Sequence, residues 1–277
     1  MSGFDERIAT ARSVLFVPGD RPDRFAKAID SGADVVVLDL EDAVAMADKE
    51  AARAAVDDYL ARTRMPVLVR INGTDTPWCD ADLEMIARHR AAVMIPKAHS
   101  AAHVAGVTER LASQTPAVVL IETAAGVCAA AQICGVPTVV RAAFGSIDLS
   151  AELGVDPDDT SALQYARSAV VLGSAAAGRP APLDGVTTDL GEASPLRRDV
   201  NHAVALGFGG KLCIHPRQIA AVHEGFSPSP RELEWARKVT AEAAPGKACV
   251  VDGKMVDKPV IDRAARILLR ANRGQGS

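Results

Sequence analysis

Residues 35–42 read Val35-Val36-Val37-Leu38-Asp39-Leu40-Glu41-Asp42, an apolar run that ends in three acidic residues within four positions. An unbroken apolar run of this kind is typical of a parallel strand that is covered on both faces. Residues just past the carboxyl end of such a strand line the crevice where α/β proteins bind their ligands. The stretch therefore predicts a buried strand that delivers carboxylates to a functional site.

The same arrangement recurs at three further places in the chain. Residues 67–69 run into Arg70, residues 118–121 run into Glu122, and residues 142–145 lead to Asp148. Four strands thus each end in a charged side chain at the edge of the sheet where chemistry is expected. This pattern indicates an enzyme.

Eight strand candidates alternate with helical segments. Eight such repeats without a long antiparallel stretch favour a closed (β/α)8 TIM barrel over an open doubly wound sheet. Thr160 and Gly178 are expected as the N-cap and C′ residues of one helix. The expected strands are Ser13–Val17, Asp34–Leu38, Pro66–Arg70, Ala92–Ile95, Ala117–Ile121, Val139–Phe144, Ala181–Val186 and Lys211–Ile214. The expected helices of the barrel are Asp23–Asp30, Ala47–Arg62, Asp80–Arg90, Ala101–Ser113, Ala124–Ile133, Thr160–Ala177, Pro195–Leu206 and Ile219–Glu224.

Two prolines in the four residues 227–230 mark the clearest break in the chain. We expect a barrel domain over residues 1–226 and a helical extension or lid over residues 227–277, with helices at Arg231–Ala244 and Val260–Ala271. The extension is short, and we expect it to pack on the barrel or on a neighbouring subunit.

The composition argues against several classes of protein. A net charge of −4 and only ten aromatic residues argue against nucleic-acid binding. No apolar run approaches the roughly 20 residues that a membrane span requires. The first ten residues lack the apolar core of a secretory signal. Five cysteines form no CxxC pair, which is typical of reduced thiols. We expect a cytoplasmic protein.

Glu122 and Asp148 are 26 residues apart, which is the length of one strand–helix unit. They should end adjacent strands, so that their carboxylates converge. Two carboxylates without a nearby His or Cys favour Mg²⁺ over Zn²⁺. The alternative is that each carboxylate caps a helix or faces solvent.

Arg70 is expected at the same rim. A buried arginine is costly unless it is paired, and its planar group suits a carboxylate or an enolate. A structural ion pair with Asp39, Glu41 or Glu122 is the alternative. Both interpretations hold together if that carboxylate orients Arg70 for an anionic ligand.

Other rim residues give weaker signals. At least one of the three acids at positions 39, 41 and 42 is expected to partner a functional side chain, while Asp42 fits the start of a helix equally well. Gly19 lies in a tight turn and permits a close approach of the backbone to a ligand. Lys97 could bind an anion or form an ion pair.

Several short motifs follow one another in a fixed order. They are Arg12-Ser13-Val14-Leu15-Phe16-Val17-Pro18-Gly19, Leu38-Asp39-Leu40-Glu41-Asp42-Ala43-Val44, Val69-Arg70-Ile71-Asn72, Ile95-Pro96-Lys97-Ala98, Leu120-Ile121-Glu122-Thr123, Phe144-Gly145-x-x-Asp148, Ile214-His215-Pro216-Arg217-Gln218-Ile219 and Gly253-Lys254-Met255-Val256-Asp257-x-Pro259. In this order the motifs resemble the citrate lyase β-subunit family, within the aldolase superfamily that also contains malyl-CoA and citramalyl-CoA lyases.

The resemblance implies a Mg²⁺-dependent lyase for CoA thioesters, with Mn²⁺ as a possible substitute, on a TIM barrel that forms a homotrimer. It implies a metal site at Glu122 and Asp148, and a catalytic role for Arg70. It places Asp257 on a C-terminal lid that reaches a neighbouring subunit's site, where its carboxylate acts as the acid or base. Asp39 is a further catalytic candidate. The substrate-binding candidates are Arg70, Gly19, Glu41, Asp42 and Lys97.

The expected reaction is cleavage of a 3-hydroxyacyl-CoA such as citramalyl-CoA or malyl-CoA into acetyl-CoA and an oxo acid. The alternatives are the β subunit of a citrate lyase complex, which uses a carrier-bound thioester, and a non-catalytic barrel that binds CoA esters. The family often has Gly-Ala-Glu-Asp at residues 145–148 and Lys-x-Glu-Ser at residues 97–100, where this chain has Ile147 and His99. Both departures leave the acyl group open.

Overall fold

The computed structural model describes residues 3–63, 65–191, 193–242 and 249–273. Eight parallel strands close into a barrel in their sequence order. The predicted (β/α)8 TIM barrel is therefore confirmed. The barrel strands are β1 (Ser13–Pro18), β2 (Val35–Asp39), β3 (Leu68–Arg70), β4 (Ala92–Ile95), β5 (Ala117–Ile121), β6 (Val139–Phe144), β7 (Leu183–Asp184) and β8 (Gly210–Cys213).

Helices follow the strands along the chain, and an additional helix precedes β1. They are α1 (Gly3–Thr10), α2 (Phe25–Ile29), α3 (Lys49–Arg62), α4 (Cys79–His89), α5 (Ala101–Thr108), α6 (Ala124–Cys128), α7 (Ala130–Cys134), α8 (Ser146–Leu153), α9 (Gln164–Ala176), α10 (Ala193–Leu206) and α11 (Ile219–Phe226). No helix in the described ranges has the length and apolarity that a membrane crossing requires.

One predicted helix end is confirmed and one is wrong. Gly178 follows α9 with a φ of +66°, the left-handed conformation that glycine adopts without a steric penalty. The N-cap of α9 is Leu163 and not Thr160. The Asp159 carboxylate accepts hydrogen bonds from the Ser161 amide at 2.8 Å and from its hydroxyl at 2.6 Å. This local turn occupies the segment where the helix was expected to begin.

The barrel interior explains why the charged residues stand at the strand ends. Its core includes Val35, Val37, Leu68, Val118 and Leu120. Because successive side chains on a strand point to opposite faces, the next inward positions after these residues are 39, 70 and 122. Apolar side chains fill the barrel up to those positions, and charged side chains stand immediately above them.

Contacts divide the chain into two compact units, Met1–Val222 and His223–Ser277. The second unit contains α12 (Pro230–Glu242), β9 (Cys249–Val251), β10 (Lys254–Val256) and α13 (Lys258–Arg273). The two strands pair antiparallel across a turn at Asp252 and Gly253, whose φ angles are +51° and +74°. Both values suit a tight hairpin turn. Six buried residues of this unit form a small cluster of their own, namely Ala236, Val239, Val251, Val256, Ala264 and Ile267.

Candidate active site

The strand register brings Arg70 and Asp39 together. The last residue of β2 pairs with the last residue of β3, so Asp39 lies directly beside Arg70. The Arg70 Nε and Nη2 atoms donate to the two oxygens of Asp39, each at 2.7 Å. Both side chains are buried. This two-point contact fixes the plane of the guanidinium group.

The third nitrogen of Arg70 contacts the remaining acids of the same turn. Its Nη1 atom lies 3.0 Å from Glu41 Oε2 and 3.5 Å from Asp42 Oδ2. The guanidinium carbon also lies 4.9 Å from the centre of the Phe16 ring. The ion pair that the sequence offered as an alternative role is thus present, and it orients Arg70.

Glu41 links Arg70 to Lys97. Its Oε1 atom lies 3.1 Å from Lys97 Nζ. Burial raises the pKa of Glu41 to about 7, although the neighbouring cations Arg70 and Lys97 oppose this effect. Lys97 forms the ion pair that was one of its two predicted roles.

Glu122 is the most strongly perturbed carboxyl group of the site. Burial, followed by repulsion from Glu41 and Asp148, raises the pKa of Glu122 to about 8. Its Oε1 atom accepts a hydrogen bond from the Lys97 amide at 2.8 Å. Lys97 has a φ of +49°, an uncommon conformation for a residue with a side chain. In this conformation Lys97 makes two contacts. Its amide contacts Glu122, and its side chain contacts Glu41.

Asp148 lies in the first turn of α8, and it lines the same cavity as Glu122. The two carboxylates supply only oxygen donors. They repel each other, and a divalent cation bound between them would remove that repulsion. Within the described ranges, no group of three or more His, Cys, Asp or Glu side chains is arranged to hold a metal. A metal on this pair would therefore keep positions for water and substrate oxygens. These properties fit Mg²⁺, which binds through one or two carboxylates and retains waters.

A cavity of about 320 Å³ lies at the carboxyl ends of the strands. One side of its wall is apolar throughout and the other side is mixed. The parts of the wall at β7, β8 and β1 are apolar, whereas the parts at β2, β3 and β5 and after β6 contain the charged residues together with other apolar ones. The charged residues of the wall are Asp39, Asp42, Arg70, Glu122 and Asp148. The apolar residues are Phe16, Ala43, Leu120, Phe144, Ile147, Val186, Leu212 and Ile214.

Gly19 makes the close backbone approach that its turn predicts, but the partner is a strand of the barrel. Its amide donates to the Asp39 carbonyl at 2.7 Å, and a Cβ at this position would lie 2.8 Å from that oxygen. A larger residue at position 19 would displace the end of β2. Contact of Gly19 with a ligand stays a prediction.

Asp257 belongs to the second unit, where it precedes α13. Its carboxylate accepts a hydrogen bond from the Val260 amide at 3.4 Å, and its carbonyl accepts one from the Ile261 amide at 3.0 Å. Asp257 is thus the N-cap residue of α13. Its catalytic role stays a prediction.

Two residues that shape the site were given no role from the sequence, although Gly145 stands in one of the motifs. Lys49 is buried, and its Nζ atom donates to the carbonyls of Leu40 and Glu41, each at 2.7 Å. The signal was available, because Lys49 shares the buried face of α3 with Ala52 and Val56. Gly145 is the second residue, since its backbone lies directly against the Glu122 side chain.

Comparisons with known proteins agree with this geometry. A family model described as HpcH/HpaI aldolase/citrate lyase matches residues 12–216. A citrate lyase subunit beta-like protein of Mycobacterium tuberculosis is 40% identical over 265 residues, which are 93% of this chain and 94% of that protein. A (3S)-malyl-CoA thioesterase of Cereibacter sphaeroides is 36% identical over 273 residues, which are 94% of each chain.

A solved structure shares the fold over nearly the whole chain. The crystal structure of CitE from Mycobacterium tuberculosis in complex with magnesium, acetoacetate and coenzyme A matches with a TM-score of 0.83 and 38% identity. The match covers 95% of this chain and 99% of that chain. The predicted resemblance is confirmed, and the chain belongs to the HpcH/HpaI aldolase/citrate lyase family of carbon–carbon lyases.

Proposed function

We propose that this protein is a Mg²⁺-dependent lyase that cleaves a 3-hydroxyacyl-CoA thioester, such as citramalyl-CoA or malyl-CoA, into acetyl-CoA and an oxo acid. The observation that carries the proposal is the meeting of two groups in one cavity. These are the oriented Arg70–Asp39 pair and the carboxylates Glu122 and Asp148. The mycobacterial structure with magnesium, acetoacetate and coenzyme A supports it.

Glu122 and Asp148 are the residues that would hold the metal. Mg²⁺ at this position would supply a Lewis acid for the carboxylate and the hydroxyl oxygen of the substrate. Both protein ligands must be ionised to bind it. Because the pKa of Glu122 is raised, protons compete with the metal for its carboxylate.

Arg70 is proposed to bind the thioester oxygen and to stabilise the negative charge that develops on it when the carbon–carbon bond breaks. Asp39 contributes by keeping the guanidinium plane fixed before the substrate arrives, so that little reorganisation is needed during the reaction. Asp257 is proposed to protonate the carbon of the enolate in cleavage and to remove that proton in condensation. Gly19, Glu41, Asp42 and Lys97 remain candidates for substrate binding.

The divided cavity wall favours an oxo-acid product with one carboxylate. Among the described residues that line the cavity, Arg70 is the cation, and it is already paired with acids at the end of β2 and in the turn after it. A second carboxylate on the product would face the apolar wall formed by residues such as Val186 and Ile214, and it would lose hydration without gaining a partner. Citramalyl-CoA and malyl-CoA each yield a product with one carboxylate. Citryl thioesters yield a dicarboxylate, which makes the citrate lyase β-subunit role the second candidate.

We further propose a homotrimer in which the Asp257 segment of one subunit completes the site of its neighbour. The family resemblance supports this arrangement. It also explains how a residue outside the barrel strands would contribute to the reaction. A CoA thioester as the substrate is consistent with action in the cytoplasm.

The test is an assay of the purified protein with Mg²⁺ and citramalyl-CoA, malyl-CoA or citryl-CoA. We expect acetyl-CoA and an oxo acid from one or both of the first two substrates. Release of free CoA together with the hydroxy acid would indicate a thioesterase, as in the Cereibacter relative. Turnover of a carrier-bound thioester alone would indicate a citrate lyase subunit. No turnover of any thioester would leave only a non-catalytic barrel that binds CoA esters.

A further inference from the structure

Lys49 is a buried lysine that the proposed reaction does not use. It is the first residue of α3, and only 6% of its surface is exposed. Its ammonium group donates to two successive carbonyls, Leu40 and Glu41, and lies 5.7 Å from the centre of the Trp78 ring. A buried ammonium group is costly, so its hydrogen bonds must offset the loss of hydration.

The turn that Lys49 contacts carries the acids that orient Arg70. The Asp39 carboxylate accepts hydrogen bonds from the Glu41 amide at 2.9 Å and from the Ala43 amide at 3.2 Å. These bonds close the turn from the side of Asp39. The carbonyl of Leu40 needs a donor from elsewhere, because buried backbone oxygens are rarely left unpaired. Lys49 donates to this carbonyl and also to that of Glu41.

The other backbone groups of the turn are paired with the barrel. The Asp39 carbonyl accepts the Gly19 amide at 2.7 Å, and the Leu40 amide donates to the Arg70 carbonyl at 2.9 Å. The Glu41 carbonyl also accepts the Val44 amide at 2.9 Å. The Leu40 carbonyl therefore depends on Lys49 among the hydrogen bonds described. Without it, the peptide between Leu40 and Glu41 would be held only by the hydrogen bond from the Glu41 amide to Asp39.

We propose that Lys49 is a positioning residue for the active site: it fixes the Leu40–Glu41 peptide and thereby aims the Glu41 carboxylate at Arg70 and Lys97. Lys49 acts through Glu41 and makes no contact with substrate. The electrostatic balance agrees with this role. Lys49 supplies a positive charge next to a turn that carries Asp39, Glu41 and Asp42. Burial lowers the pKa of Lys49, and the negative charges of these three acids oppose that effect.

The proposal rests on the proposed function for its kinetic test only. In the Lys49→Met variant we expect kcat to fall about tenfold or more with a smaller change in KM, which is the loss of roughly one charge-assisted hydrogen bond in the transition state. In a Glu41→Gln background the same substitution should lower kcat less than about threefold, because residues that act through one another are not additive. If Lys49→Met does not fold, the Lys49→Arg variant, which keeps the charge, replaces it in the double-mutant cycle with Glu41→Gln.

A second readout does not need turnover. The Nε–H resonance of Arg70 can be assigned by its disappearance in Arg70→Lys, and it reports the orientation of the guanidinium group that Glu41 contacts at Nη1 and Asp39 contacts at Nε. We expect Lys49→Met to shift this resonance and to speed its exchange with water. The control is Lys211→Met, since Lys211 is also buried, donates to the Gly185 carbonyl at 2.6 Å and pairs with Asp184 at 3.1 Å, away from Arg70. The control should lower stability without moving the Arg70 resonance.

The outcomes separate the two proposals. An unchanged Arg70 resonance in Lys49→Met, or a kcat loss that is equally large in the Glu41→Gln background, would overturn the positioning role. A wild-type protein that turns over no thioester would overturn the proposed function. The resonance would then still decide whether Lys49 positions Arg70.

Discussion

Gly145 and Glu122 lie in direct contact at the top of the barrel. A Cβ added to Gly145 would come within 2.4 Å of the Glu122 Cβ and within 2.5 Å of its Oε2. The contact follows from the register, because Ile121 pairs with Phe144 and the next residue on each strand lies beside its neighbour. Gly145 therefore leaves the space that the proposed metal ligand occupies.

Gly145→Ala should weaken metal binding without unfolding the barrel. The methyl group would push the Glu122 carboxylate away from Asp148, and we expect the Mg²⁺ concentration for half-maximal activity to rise about tenfold, which corresponds to about 1.4 kcal/mol. Titration of activity with Mg²⁺ measures this. Gly106→Ala is the control, because no atom lies within 4 Å of the Cβ position in that helix. An equal change in both variants would contradict the explanation.

Removal of either proposed metal ligand should abolish activity and leave the fold intact. Glu122→Ala and Asp148→Ala each remove one of two protein ligands, whereas the core beneath them is apolar and unchanged. A chelator should inactivate the wild type, and Mg²⁺ or Mn²⁺ should restore it. Glu84→Ala, which removes an exposed carboxylate of α4, should respond to the metal like the wild type. Full activity of the wild type in excess chelator would show that the pair is structural.

The metal-free protein should lose stability as the pH rises from about 5 to about 8. Glu122 and Glu41 have pKa values of about 8 and about 7 in the folded state, above the ordinary value of 4.5. The folded state then binds more protons than the unfolded state in this range, so the free energy of unfolding falls by up to about 1.4 kcal/mol per pH unit and group. Carboxyls whose pKa is lowered, such as Asp184, titrate below this window.

Chemical denaturation in the presence of a chelator at pH 5.5, 7 and 8.5 measures this slope. Mg²⁺ should oppose it, because ionised Glu122 is the form that binds metal, and the stabilisation by Mg²⁺ should therefore grow with pH. Glu122→Gln should flatten the dependence. Rising stability of the metal-free protein across the same range would contradict the assigned pKa shifts.

Asp257→Asn should abolish activity and leave the stability almost unchanged. Asparagine can replace aspartate as the N-cap of α13, whereas alanine would cost about 1 kcal/mol. Catalysis is thereby separated from capping. Circular dichroism and thermal melting of Asp257→Asn and Asp257→Ala provide the comparison. An active Asp257→Asn would restrict Asp257 to its structural role.

Mixed oligomers test whether the site is shared between subunits. Asp257→Asn and Arg70→Ala are each expected to be inactive. If a site combines the barrel of one subunit with the Asp257 segment of its neighbour, equal mixing should restore up to about a quarter of the wild-type activity, because half of the barrels and half of the segments are intact. Mixtures that stay inactive after subunit exchange would exclude a shared site.

The sequence by itself determined the barrel and the strand ends at which the charged residues collect. Apolar runs and helical periodicity are local properties, so they identify β2, β5 and most of the helices within a few residues. The 26-residue spacing of Glu122 and Asp148 also predicted that both lie at one edge, although Asp148 stands in the first turn of α8 and not at the end of β6. Short elements were missed, among them α1, α8 and the hairpin of the second unit, because a few residues carry too little periodicity. The expected helix at residues 124–133 is divided at Ala129.

Only the tertiary structure decided how the charges are paired. Arg70 had three possible partners in the sequence, and the register of β2 and β3 selected Asp39 as the two-point contact. The tertiary structure likewise decided the left-handed conformation of Lys97 and the burial of the Lys49 ammonium group. Each depends on partners that are distant along the chain or on a backbone angle imposed by packing. Periodicity records which face of an element is buried, whereas the energy of a buried charge depends on the atoms across from it.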